Sequence, residues 1–272
     1  MNKSVRNSNS WFWLTAPIAI LLMIAAGGGL FIGGLYRDAP YFAVQAMGQD
    51  LISLAVVLPA LILAAFLASH GSSRARLIWL GGLVYLVYSY VIAAFDVKFN
   101  PLFLVYVALL GCSLYALIGG LVTLDMAGIK ASFVERTPSR AVSIYLAVLA
   151  ILFYFLWLNE TIPALIAGKI PQSLQDNGTP TNAVHVLDMA WILPAFGITA
   201  VSLWRKHSLG YTLAGTMLSY IVLLISAILS MVVFMIRNGQ PVVVPQVVIF
   251  GTLFAASLGM LIWFLKGLKS TP

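Results

Sequence analysis

All 26 Lys, Arg, Asp, Glu and His residues of the chain lie between its long apolar stretches or near their ends. A charged side chain at the centre of a bilayer costs several kcal/mol, so spanning helices normally leave their middles uncharged. Hydrophobic residues make up 61% of the chain and charged residues only 8%, which excludes an ordinary soluble domain. The sequence therefore predicts an all-α polytopic membrane protein.

The length of each apolar stretch sets the number of spans. A helix needs about 20 apolar residues to cross the hydrocarbon core. This predicts eight membrane helices, with approximate limits 11–36, 50–70, 77–95, 101–124, 141–158, 185–204, 211–236 and 247–265. Residues 37–49 and 159–184 are predicted outer loops, and residues 162–170 are predicted to form a short interfacial helix. The connections leave no room for a soluble domain.

The basic residues predict the orientation. With a cytoplasmic N-terminus, eleven Lys and Arg side chains fall inside and four outside, which is a strong positive-inside bias. The net charge of +7 follows from this bias, and the scattered basic residues form no nucleic-acid-binding face. Both termini are predicted to be cytoplasmic. The inner residues are Lys3, Arg6, Arg74, Arg76, Lys130, Arg136, Arg140, Arg205, Lys206, Lys266 and Lys269.

The two halves of the chain, residues 1–140 and 141–272, share short patterns. Val56-Val57-Leu58-Pro59-Ala60 is similar to Trp191-Ile192-Leu193-Pro194-Ala195, at an offset of 135 residues. Leu80-Gly81 and Ser89-Tyr90 have counterparts in Leu209-Gly210 and Ser219-Tyr220. These matches predict two four-helix repeats. Four spans per repeat would make the halves parallel, with an axis along the membrane normal.

Several stretches of the chain together resemble an uncharacterised family of bacterial multi-pass membrane proteins. They are Gly48-Gln49-Asp50-Leu51 with Leu58-Pro59, the segments 74–81 and 99–109, and His185-Val186-Leu187-Asp188. The resemblance covers most of the second to fourth spans and part of the sixth. It implies a location in the bacterial cytoplasmic membrane, and it implies no activity.

The predicted outer ends of the spans hold the polar residues that best fit a functional site. His185 and Asp188 are spaced i, i+3 and share one helix face, and Asp50 begins the predicted second span. Asp50 or Asp188 could act as a general base or cation ligand, with His185 as a proton carrier. Alternatively, the acids only cap helix N-termini. Further candidate ligand-binding residues are Glu160, Asn100, Tyr90 and Ser219.

Other polar and aromatic residues have ordinary structural interpretations. Asn100-Pro101 fits a cap followed by proline at the first position of the fourth span. Tyr36 and Trp157 fit the aromatic belts at the membrane surfaces. Buried tyrosines need partners for their hydroxyl groups. The tyrosines that fall within the third and fourth spans are Tyr85, Tyr88, Tyr106 and Tyr115.

No motif indicates a metal or cofactor. One His with carboxylates and no Cys is not a typical zinc set, and the single cysteine, Cys112, lies within an apolar span. The sequence has no P-loop or nucleophile elbow, no intramembrane His pair for haem and no mid-span Lys for retinal. No cofactor is therefore predicted.

Three functions remain open at this point. The first is a non-enzymatic protein that binds or passes a neutral or lipidic small molecule between its halves. The second is an outer-leaflet enzyme that acts on a lipid-linked substrate through Asp50, His185 and Asp188. The third is a structural or accessory subunit that packs against a larger membrane complex or forms an oligomer, since small residues such as Gly251 and Gly259 allow close helix packing.

Overall fold

A computed structural model describes residues 10–269 of the protein. These residues include eight long apolar helices. The predicted all-α polytopic fold is confirmed, because no strand occurs in this range and all eight helices are long enough to span a membrane. The predicted inner residues Lys3 and Arg6 lie outside the described residues. The helices are α1 (Trp11–Phe31), α2 (Pro40–Ser69), α3 (Ser73–Phe95), α4 (Phe103–Val122), α5 (Ser139–Ala167), α6 (Ala183–Trp204), α7 (Ser208–Arg237) and α8 (Val244–Lys266).

Helix α2 begins ten residues earlier than predicted. The prediction of an outer loop over 37–49 is wrong for most of its length, because Pro40 occupies the first helical turn and no further proline separates it from Asp50. Proline suits this position since its missing N–H would have had no partner there. Asp50 therefore lies ten residues inside a helix instead of at its start.

Helix α5 is also longer than predicted, because it continues through Pro163 to Ala167. The predicted interfacial helix 162–170 is thus mainly the last part of α5. The missing N–H of Pro163 frees the carbonyl of Asn159, which is an exposed residue, so the loss is tolerated. Gly168 ends the helix in the left-handed conformation, with φ of 61°. A short helix, Gln172–Asn177, follows before α6.

Helices α3 and α7 form the centre of the bundle. The apolar segment of α3 is 72% buried, whereas that of α8 is only 11% buried and leaves most of its surface for lipid. Helices α3 and α7 cross closely at Gly81, where a Cβ atom would overlap the Ser219 side chain and the Thr216 carbonyl oxygen. Within the first half, α1 packs on α2 and α4, and α3 packs on α2 and α4. The second half repeats this arrangement with α5 to α8.

Helices α2 and α6 are each interrupted by one π-helical turn, over Ser53–Val57 and Asp188–Ile192. A proline follows each turn at the second residue of the α-helix that continues, namely Pro59 and Pro194. Proline has no N–H to donate, and its ring clashes with the carbonyl four residues earlier, which lies inside the π turn. The wider turn relieves both problems. We call these two segments the interrupted segments of α2 and α6.

The boundaries around the interrupted segments match at an offset of 135 residues. The two α-helical continuations are Leu58–Ser69 and Leu193–Trp204, and the next helices begin at Ser73 and Ser208. By this count Tyr85 corresponds to Tyr220. The pairs Ser89-Tyr90 and Ser219-Tyr220, which are similar in sequence, do not lie at equal distances from their helix starts and are not equivalent positions.

Candidate functional site

The end of the bundle that carries Asp50, Glu160 and Asp188, hereafter the acidic end, contains buried polar side chains. Asp50 is 8% exposed, His185 6% and Asp188 7%. All three therefore point into the protein instead of toward solvent or lipid headgroups. Buried ionisable residues inside membrane helices are expensive and normally mark functional positions.

Asp188 is the most completely bonded of these residues. Its Oδ1 accepts a hydrogen bond of 3.0 Å from the Tyr88 hydroxyl, and its Oδ2 accepts one of 2.9 Å from Trp157 Nε1. The alternative that Asp188 only caps a helix is wrong, because Asn182 caps α6 by accepting a hydrogen bond from the His185 N–H at 3.1 Å. Asp188 instead joins α6 to both α3 and α5.

His185 lies beside the same tryptophan. Its Nε2 is 3.6 Å from Glu160 Oε2, and its ring centroid is 4.3 Å from that of Trp157. Glu160 is in turn held by the Ser173 N–H, which donates to Oε1 at 3.0 Å. The structure thus brings Glu160, His185 and Asp188 together around Trp157. We call these four residues the α6 cluster.

Asp50 belongs to a separate cluster near the interrupted segment of α2. Its Oδ2 accepts a hydrogen bond of 2.5 Å from the hydroxyl of Tyr36, which lies between α1 and α2. Burial, and then the negative charge of Asp50, raise the pKa of Tyr36 well above its usual value, so this hydroxyl keeps its proton and remains a donor. Asp50 caps no helix end. A Cβ atom at Gly29 of α1 would overlap both partners, which requires glycine there.

A layer of tyrosines lies between the two acidic residues. Tyr85 and Ser53, the first residue of the α2 π turn, are joined by a hydrogen bond of 2.9 Å. The rings of Tyr88 and Tyr220 are in contact, with centroids 5.7 Å apart. The prediction that Tyr85 and Tyr88 need hydroxyl partners is confirmed. Tyr220, which is fully buried, has no hydrogen-bond partner for its hydroxyl among the described residues.

The remaining candidate residues lie beside Tyr106, before α4 and at the α3–α7 crossing. Tyr90 is buried in α3, and its ring centroid is 6.0 Å from that of Tyr106. Asn100 accepts from the Leu102 N–H at 2.9 Å, and α4 begins only at Phe103, so the prediction of Pro101 as its first residue is wrong. Ser219 donates to the Gly215 carbonyl at 2.8 Å and lies at the α3–α7 crossing, with no hydrogen bond to either acid among the described residues.

The sequence analysis predicts two residues in the aromatic belts that are neighbours of the buried acids in the structure. Tyr36 and Trp157 instead donate to Asp50 and Asp188. A signal for Trp157 exists in the sequence, because it precedes Glu160 by three residues and therefore shares its helix face. Within residues 10–269, no three His, Cys, Asp or Glu side chains are placed to hold a metal ion.

Searches against models of protein families, curated proteins and solved structures give no match to this chain. What the protein does is therefore inferred from its own side chains.

Proposed function

We propose that the protein binds or passes a small neutral or lipidic molecule between its two helical halves at the acidic end. The observation that carries this proposal is the pair of interrupted segments, Ser53–Val57 and Asp188–Ile192, each beside a buried acid. Interrupted helices in corresponding positions of two halves are a common feature of transporter binding sites, since the opened backbone and the polar side chains can contact a solute.

We further propose that the halves are parallel repeats. Two contacts support this. At the α3–α7 crossing, Gly81 lies against Thr216, which is its own counterpart at the 135-residue offset, as expected where a two-fold axis passes. Gly48 of α2 packs on Met231 of α7, and the residues at the 135-residue offset, Ala183 at the start of α6 and Asp96 directly after α3, are joined by a hydrogen bond of 3.0 Å.

The chemistry of the acidic end favours a neutral ligand. Carboxylate oxygens, tyrosine hydroxyls and the Trp157 ring surround the two interrupted segments. Among residues 10–269, neither Asp50 nor Asp188 pairs with a Lys or Arg side chain, so nothing there would attract an anion. Hydroxyl or amide groups of a neutral molecule would satisfy these acceptors. Because Asp50, Ser53 and Asp188 are buried, a solute reaches them only when the helices move apart.

Cysteine labelling tests this movement. In a Cys112→Ala background, Ser53→Cys should react with a membrane-impermeant maleimide added at the acidic end. The matched control is Ser113→Cys in α4, which is equally buried but lies outside the interrupted segments and should stay unreacted. Erythritol, a polyol, and farnesol, an isoprenoid alcohol, serve as probes that should slow the reaction if they occupy the site. Equal, negligible labelling of both cysteines would contradict the proposal and favour a packing role in a larger complex.

The α6 cluster also favours a second candidate, an outer-leaflet enzyme. His185 Nε2 lies 3.6 Å from Glu160 Oε2, so the carboxylate is placed to orient and stabilise the imidazole of a general base once the two approach to hydrogen-bond distance. Under this hypothesis His185→Gln abolishes turnover of a lipid-linked substrate but leaves the labelling of Ser53→Cys unchanged. Under the carrier hypothesis the same substitution changes the labelling rate.

We also propose that the protein lies in a bacterial cytoplasmic membrane, with the opposite end of the bundle in the cytoplasm. That end, hereafter the basic end, carries Arg74, Arg76, Arg140 and Arg205. The eleven-to-four distribution of basic residues supports this orientation. A reporter that works only in the cytoplasm should be active when fused after residue 206, and a reporter that works only outside the membrane should be inactive there. Activity of the external reporter would reverse the threading.

A further inference from the structure

A narrow groove at the basic end is lined by aromatic and small residues around one arginine. Arg76 of α3 lies in this groove between the first turn of α1 and the end of α4. The guanidinium carbon of Arg76 is 5.6 Å from the centroid of the Phe12 ring. The other lining residues are Trp79, Gly120, Thr123 and Leu124.

Glycines bring the aromatic rings into this groove. A Cβ atom at Gly120 would overlap the Trp79 ring, and one at Gly119 would overlap the Trp11 ring. Trp79 Nε1 donates to Thr15 at 3.0 Å, which fixes the indole against α1. The two glycines therefore let the tryptophan rings pack directly on α4, and the Trp79 ring lines the groove beside Arg76.

Arg76 has no counter-charge in the part of the chain that the structure describes. The only ion pair in residues 10–269 joins His185 to Glu160 at the acidic end. The Nε atom of Arg76 is buried without a hydrogen-bond partner, and the neighbouring Arg74 donates to the Leu268 carbonyl oxygen instead of to a carboxylate. An unsatisfied buried donor is costly, and more so when it is charged.

The position of Arg76 in its helix adds to this imbalance. Arg74 and Arg76 are the second and fourth residues of α3, and the first turn of α3 contains no acidic residue. The N-terminus of a helix carries a partial positive charge, so two cations there repel it and an anion is favoured. Both the local charge and the unpaired Nε donor therefore favour an anionic partner for Arg76 from outside the described residues.

The surroundings of the groove indicate what that partner is. Trp13 is 81% exposed and Val122 79% exposed, and these residues flank Phe12 and Thr123 on the lipid-facing surface. Acyl chains cover such side chains in a membrane, while a phosphate at the interface lies within reach of arginine. Basic pockets between helix ends bind anionic lipid headgroups in this way, and arginine matches the geometry of phosphate oxygens.

We propose that the partly exposed Arg76, at the mouth of this groove, binds the phosphate of an anionic phospholipid at the protein surface, with the acyl chains lying over α1 and α4. The site is separate from the acidic end and does not depend on the function proposed there. Its role is to anchor the first four helices in the leaflet that the basic end contacts.

Lipid titration of the purified full chain in detergent micelles tests the proposal. Phosphatidylglycerol should raise the unfolding temperature of the wild type more than phosphatidylcholine does. Arg76→Gln should weaken phosphatidylglycerol binding by about fivefold, the effect of one arginine near an anionic surface. The matched control is Arg140→Gln, because Arg140 is also a basic-end arginine over an aromatic ring, Trp204 at 5.7 Å, but lies outside the groove.

A second variant keeps the test decisive if Arg76→Gln does not fold. Thr123→Glu places a carboxylate at the partly exposed rim of the groove, where it can pair with Arg76. This variant should fold and lose the preference for phosphatidylglycerol. The proposal is overturned if either variant keeps the wild-type preference, or if Arg140→Gln loses it equally. It is also overturned if inorganic phosphate stabilises the wild type as well as phosphatidylglycerol does, since the site would then recognise the free ion.

Discussion

The interrupted segments of α2 and α6 have the same backbone conformation but carry different polar side chains. In each, a π turn precedes Leu-Pro, at Leu58-Pro59 and Leu193-Pro194. At the 135-residue offset, however, Asp50 corresponds to His185, and Ser53 corresponds to Asp188. Relative to the interruption, the acid therefore lies about one helical turn closer to the proline in α6 than in α2.

The partners of the two acids differ as well. Asp50 bonds Tyr36, which comes from the same half of the chain. Asp188 bonds Trp157 from its own half and Tyr88 from the other half. The α6 cluster thus couples the two halves, whereas Asp50 organises only the first. The π turn before Leu-Pro occurs in both α2 and α6. The hydrogen bonds of the acid beside it depend on which helices surround that segment.

The largest expected effect separates the two acids. Asp188→Ala removes the acceptor of two buried donors, and we expect it to lower the free energy of unfolding by about 2–4 kcal/mol. Asp50→Ala leaves a single donor, the Tyr36 hydroxyl, without its acceptor, so we expect a smaller loss of about 1–2 kcal/mol. Unfolding equilibria in mixed micelles measure both. An equal or larger effect at Asp50 would contradict the difference drawn between the clusters.

A second substitution disturbs the Asp50 cluster alone. Gly29→Ala puts a methyl group into the Tyr36–Asp50 hydrogen bond, and we expect a destabilisation of about 1–3 kcal/mol from overpacking. Gly27→Ala in the same helix is the matched control, because a Cβ atom there meets nothing within 4 Å. Thermal unfolding of the two variants should differ clearly. Similar midpoints would mean that α1 and α2 do not pack as closely as described.

The equivalent tyrosines provide a finer comparison. Tyr85→Phe removes the hydrogen bond to Ser53, and we expect a loss of about 0.6 kcal/mol, the average for such bonds between membrane helices. Tyr220→Phe removes a hydroxyl without a protein partner and should be neutral or stabilising. The same unfolding assay compares them. A greater loss at Tyr220 would show that its hydroxyl has a partner, such as water or a ligand.

The smallest effect concerns the contact between the end of α3 and the start of α6. Asp96 accepts from the Ala183 N–H, and burial raises the pKa of Asp96 while that hydrogen bond partly opposes the rise. A raised pKa in the folded state favours folding at low pH and loses this contribution as pH rises through the folded-state pKa. Stability should therefore fall less steeply between about pH 4 and pH 7 in Asp96→Asn than in the wild type. Identical pH profiles would exclude Asp96 as a contributor.

The sequence by itself determined the fold class and the number of spans. A membrane helix bonds its own backbone and needs only a sufficient apolar length, so both properties are local and can be read from the chain. Each π turn lies directly before a proline, Pro59 or Pro194, but α5 continues through Pro163 without such a turn, so a proline alone does not determine the interruption. The largest errors are the start of α2 and the end of α5, each of which extends about ten residues beyond its predicted limit. Smaller errors occur at the end of α1, which stops at Phe31 instead of residue 36, and at the start of α4.

Only the tertiary structure decided which side chains donate hydrogen bonds to the buried acids. Tyr88 and Asp188 are 100 residues apart in the chain, and Trp157 and Asp188 are 31 apart, so no spacing rule connects them. Tyr36 and Trp157 are residue types typical of the aromatic belts. Only the packing of neighbouring helices places their O–H and N–H groups against Asp50 and Asp188. The partner of a buried polar group depends on which side chains of other helices reach it, and that is a property of the assembled bundle.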